Sequence, residues 1–118
     1  RFLILLIFLT GHVTIYLSNS TLLYYFIMDN IEIKEQRSQA GKYLFVVEVG
    51  TENKTTHQVT LERDYWQKLS GQKVTPGQLI LDSFMFLLRH EPKEAILKEF
   101  DLKDINKYFP EFEESVRK

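Results

Sequence analysis

Histidines, a serine inside an apolar run and sixteen carboxylates are the residues of this chain whose types suit chemistry. Histidine carries a proton near neutral pH or ligates a metal. A serine beside a base acts as a nucleophile, and facing carboxylates divide acid and base work. Spacing then decides. His12, His57 and His90 are scattered along the chain, and "RHEP" (residues 89–92) lacks the second His that a zinc-binding helix needs. No G-x-S-x-G surrounds Ser83, and the 5 glycines are isolated, so there is no phosphate-cradling loop. With no cysteine, disulfides, thiolate zinc sites and cysteine nucleophiles are excluded. The carboxylates fall on helix faces and in first helical turns, where solvated surface is their ordinary role. His57 reads as a structural residue on a strand near a loop. His90 reads as one at a helix C-terminus, where partial positive charge is favoured. We therefore expect no enzyme, no catalytic residue, no cofactor and no metal.

The elements that would position any site lie after Met28. All 16 Asp and Glu follow it, with every Lys and Arg except Arg1, which leaves that part a formal charge of −2. Such a balance suits a soluble domain and does not supply the basic field that nucleic-acid affinity draws on. Residues 2–27, "FLILLIFLTGHVTIYLSNSTLLYYFI", carry no formally charged side chain. A membrane span needs ~20 predominantly apolar residues, but "LSNST" and Gly11-His12 interrupt this one, and it has no small-residue cleavage site. We expect residues 1–27 to be an over-extended reading frame ahead of a start at Met28, the alternative being a membrane or export segment. Residues 28–118 then form a single cytoplasmic domain, with a membrane partner only if the leader is genuine. The sequons Asn19-Ser20-Thr21 and Asn53-Lys54-Thr55 carry no weight without secretion.

Within residues 28–118, "IEIKEQR" (Ile31–Arg37) reads as an edge strand and "SQAGK" as a turn. "KYLFVVEV" (Lys42–Val49) places Tyr43, Phe45, Val47 and Val49 on one face and Leu44 and Val46 on the other. A strand apolar on both faces belongs mid-sheet. "GTENKT" is a hairpin loop. "THQVTL" (Thr56–Leu61) returns with His57, Val59 and Leu61 on one face and Thr56, Gln58 and Thr60 on the other.

The rest reads as helix. Leu61, Tyr65 and Leu69, with Trp66, precede a stop at Ser70-Gly71. Thr75 caps the next helix, Pro76 opens it, and Gln78 completes a capping box. That helix is apolar nearly all round and leaves a polar stripe at Gln78, Asp82 and Arg89, so other elements must wrap it. Its Phe84, Leu87 and Leu88 should be buried with Phe45, Val47 and Trp66. Pro92 starts a helix over "KEAILKEF", Asp101 caps a short turn, and Pro110 opens a last helix. The fold class is α+β, a three-stranded antiparallel meander followed by four short-to-medium helices.

Two stretches carry resemblances. "FMFLLRHEPKEAILKEFDLKDINKYFPEFEESV" is similar to the C-terminal signature of a family of small uncharacterised bacterial proteins, in its "FLL-x-x-EP-x-x-ILK-x-FDL" and "YFPEFE" strings. That resemblance implies a start near Met28 and transfers no activity. "THQVTLERDYWQKLSGQKVTPGQLILDSFMFLL" resembles, in element order, the ribbon-helix-helix DNA-binding fold. The resemblance implies that Thr56, Gln58 and Thr60 face bases and that Thr75 sits at a phosphate. Tyr108, Phe109 and Phe112 suit an exposed aromatic anchor for a protein partner, or else fold back over the sheet and central helix. The expected function is a binding or protein-interaction module, engaging a protein partner or a second copy. The alternative is a DNA-binding regulator or antitoxin-like protein.

Overall fold

A computed structural model describes residues 30–117, together with a two-residue antiparallel pair, β1 (Phe2–Leu3) with β2 (Leu17–Ser18). The reading of residues 1–27 as a leader otherwise lies outside the described residues. The domain is α+β. Its sheet has four strands in the order β3 (Ile31–Gln39), β4 (Lys42–Val49), β5 (Thr55–Glu62) and β6 (Glu99–Asp101). The first three form the expected meander, with Phe45 opposite Val59 and Val47 opposite His57.

The β3–β4 hairpin turns on Ala40 and Gly41, both at positive φ (50° and 78°). This is the twist that a two-residue connection between right-twisted strands demands. A register shift between Ile33 and Glu35 bends β3, and its outer half is exposed on both faces.

The sheet is mixed rather than purely antiparallel. β6 runs parallel to β5, pairing Gln58 with Glu99, Val59 with Phe100 and Thr60 with Asp101. The helix expected over "KEAILKEF" is therefore absent. After Pro92 the chain makes one 3-10 turn, Lys93–Ala95, and then extends. The physical reason is the edge of β5. Left open, it would present unpaired amides and carbonyls; instead Gln58 N–H donates to the Lys98 carbonyl at 2.7 Å. Lys, Glu, Ala and Leu are good helix formers, and here tertiary pairing overrides that local propensity.

Among the described residues, four α-helices follow or flank the sheet: α1 (Arg63–Ser70), α2 (Pro76–His90), α3 (Ile105–Tyr108) and α4 (Phe112–Val116), with a 3-10 turn at Leu102–Asp104 before α3. α1 ends at Gly71 in the left-handed conformation, as its sequence requires. The capping box of α2 is only half formed. Thr75 Oγ1 accepts from Gln78 N–H at 3.1 Å, but the Gln78 side chain reaches forward to Asp82 Oδ1 (2.9 Å).

One core joins the inward face of the sheet to α1, α2 and α4. Phe45, Val47, Val59, Leu61, Leu79, Ile80, Phe84, Leu87 and Phe112 are all buried in it. Leu88 and Trp66, expected to be buried, are half-buried at its margin. Trp66 sits there because its Nε1–H donates to the Val74 carbonyl at 2.9 Å, closing the loop between α1 and α2. α4 is tied to α1 by Tyr65 Oη–H donating to Glu113 Oε2 at 2.9 Å. Burial and the adjoining carboxylate push the Tyr65 phenol strongly upward, so it stays a donor at any physiological pH.

Candidate functional site

An apolar cleft of about 250 Å³ opens where the C-terminal end of α2, the extended segment after Pro92 and α3 meet. Each wall follows from local sequence. The α2 wall is Leu87. The second is Ala95, which ends the 3-10 turn, with Ile96 and Leu97, where the chain extends toward its pairing with β5. The third is Phe100 with Ile105, Tyr108 and Phe109. Glu91 and Asp104 are the charged residues of the lining, and no basic residue joins them.

His57 fixes the second wall. It is 1% exposed, its ring tilted against that of Phe84 with centroids 5.6 Å apart. Its Nδ1 lies 2.7 Å from the Leu97 carbonyl and its Nε2 2.8 Å from Thr55 Oγ1. A carbonyl only accepts, so Nδ1 carries the proton and the Thr55 hydroxyl donates to Nε2. Burial, with Lys98 adding repulsion, lowers the His57 pKa, and the ring is neutral. Through this hydrogen bond His57 pins the backbone of Leu97 in the cleft wall.

The three aromatics proposed as an anchor separate. Phe112 is buried against Phe86, with ring centroids 5.3 Å apart, and is part of the core. Phe112 thus takes the fold-back alternative, seating α4 on α2. Phe109 is half-buried between Phe86 (5.9 Å) and His90 (5.2 Å) while still lining the cleft. Tyr108 is 69% exposed at the rim. The other exposed large apolar side chain among the described residues is Leu97, at 54%, and it lines the same cleft.

Leu97 and Glu91 were missed in the sequence. Leu97 lies in the stretch expected to be helical, and it reaches the rim because that stretch is extended instead. Glu91 did carry a signal: it is an acid at the C-cap of α2, where the helix dipole favours a base. His90, one residue earlier, obeys that preference. Its Nδ1–H donates to the Phe86 carbonyl at 2.8 Å, and its Nε2 lies 3.4 Å from Glu111 Oε2.

Thr56, Gln58 and Thr60 do share the outward face of β5. Thr56 is paired with Glu48, Gln58 with Glu99 and Thr60 with Asp101, so each has an acidic neighbour on that face. β5 is an interior strand, bonded on both sides. Thr75 stands away from these three, in the helix layer near β3, where its neighbour Gly77 approaches Ile33 and Gln36. Among the described residues, no group of three or more His, Asp or Glu is placed to hold a metal ion. None of their helices is long and apolar enough to cross a membrane. In comparisons with protein-family models, curated proteins and solved structures, nothing matches the chain.

Proposed function

We propose that this domain is a protein-interaction module that seats an apolar side chain of a partner protein in the cleft between α2, the 91–97 segment and α3. One observation carries the reading: the two large apolar side chains most open to water among the described residues, Leu97 and Tyr108, both stand on that cleft. Exposed apolar surface gathered at one concave place marks an interaction site more often than scattered exposure does. At about 250 Å³ the cleft falls below the roughly 300–1,000 Å³ of most small-molecule sites. It is large enough for one or two side chains of a partner, the usual size of an interface anchor.

The reading as a DNA-binding regulator finds less support. Its three strand residues face outward together, but the acidic neighbours beside them would repel phosphates.

Titration of the isotopically labelled chain with phenol and 1-butanol, followed by amide chemical shifts, tests the cleft. The shifts should concentrate at Leu87, Ala95, Leu97 and Tyr108. Shifts spread evenly over the surface, or centred on Thr56–Thr60, would contradict the assignment.

A further inference from the structure

Glu91 is placed against its own stability. It follows the last residue of α2, where exposed carbonyls make the negative end of the helix and a carboxylate is disfavoured. It lines an apolar cleft and is half-buried there, and loss of water raises its pKa. Yet its carboxylate has neither a hydrogen bond nor an ion pair among the described residues. The electrostatic influence on it from other side chains comes from the adjacent His90. Asp104, the other acid of the lining, is already engaged by Lys107 Nζ at 3.0 Å. A residue that breaks the local rules of stability without a compensating contact is characteristic of a functional site.

We propose that the cleft selects a basic residue, Lys or Arg, set next to an apolar anchor in the partner, with Glu91 as its counter-ion. The inference rests on the reading of the cleft as a partner site and adds the charge of what enters. Three features converge on a cation. The unpaired carboxylate supplies a full negative charge. The carbonyl end of α2 adds to it, and apolar walls with no base among them focus the resulting field. The apolar anchor rests on Leu97 and Tyr108, while the cation reaches Glu91 and gains a charge-assisted hydrogen bond.

Selection of random peptides displayed on phage against the full chain tests this, with Leu97→Asp as counter-selection. Enriched peptides should carry Lys or Arg within one helical turn of a Leu, Met, Phe or Tyr. Their affinity should fall roughly tenfold or more in Glu91→Gln, the loss of one hydrogen bond to a charged group. Replacing the peptide's base by norleucine should cost the same and should add nothing in the Glu91→Gln background. If the peptides lose binding in Leu97→Asp but show no excess of bases and bind Glu91→Gln undiminished, the charge inference fails and the cleft reading stands. If no peptide is enriched, or binding ignores Leu97→Asp, the cleft reading itself fails.

Discussion

Replacing His57 by Leu isolates the contact on which the cleft wall depends. The two side chains are close in size, so the cavity term is small. What changes is polar. The Leu97 carbonyl loses its donor at 2.7 Å and the Thr55 hydroxyl loses its acceptor at 2.8 Å. Thr55 is half-buried and turns to water. The orphaned carbonyl costs about 1–3 kcal/mol, toward the lower end because Leu97 borders solvent. We expect a loss of about 1.5 kcal/mol at neutral pH, read by urea unfolding with an unchanged m value.

The same substitution carries a pH signature. The folded-state pKa of His57 is lowered from 6.5, so between that value and its native pKa the unfolded chain binds more protons. Stability present above pH 6.5 is therefore lost as pH falls, by at most about 1.4 kcal/mol per pH unit for one group. The leucine variant lacks this loss, and its deficit against the parent should narrow between pH 7 and pH 5. A deficit that stays constant over that range, or no deficit at all, refutes the assignment of a buried neutral His57.

Other consequences are simpler. Phe112→Ala should destabilise by about 3–5 kcal/mol through lost transfer energy and a cavity, whereas Tyr108→Ala should stay within about 0.5 kcal/mol; thermal unfolding separates the two. Ala40→Asn places a residue tolerant of positive φ in the β3–β4 turn and should raise stability by about 0.5–1 kcal/mol, seen as a higher urea midpoint. Glu91→Gln should stabilise slightly, by about 0.5 kcal/mol, by removing an acid from the helix C-terminus. Because burial raises the Glu91 pKa above 4.5, that gain is present at neutral pH and fades as pH falls through the native pKa toward 4.5 and both states take up the proton.

Sequence pattern revealed those parts of the fold whose determinants are local. The two-sided apolar run of Lys42–Val49 and the alternation in Thr56–Leu61 marked those strands, and Thr75-Pro76 and Gly71 marked helix ends, because each signal spans only a few residues. β6 was hidden because its cause lies about forty residues away in sequence: the open edge of β5 and the His57 ring, which takes the Leu97 carbonyl. A stretch as short as residues 93–100 is not held helical by good helix formers alone, and long-range pairing decides it. The candidate site was half legible for the same reason. Tyr108 and Phe109 stood out as aromatics, but which of the three aromatics turned inward depended on how α4 seats on Phe86. Leu97 became a rim residue only when its helix failed to form.

The most direct test of the cleft is photocrosslinking in living cells. A photoreactive phenylalanine analogue placed at Leu97 or at Tyr108 lies on the rim, while Gln58 and Gln67 serve as exposed control positions on the sheet face and on α1. Both rim positions should yield one and the same discrete protein adduct, abolished when the other rim residue is changed to Asp, with no such adduct from the controls. Equal crosslinking from Gln58 or Gln67, or none from the rim, would contradict the assignment of this cleft as the interaction site.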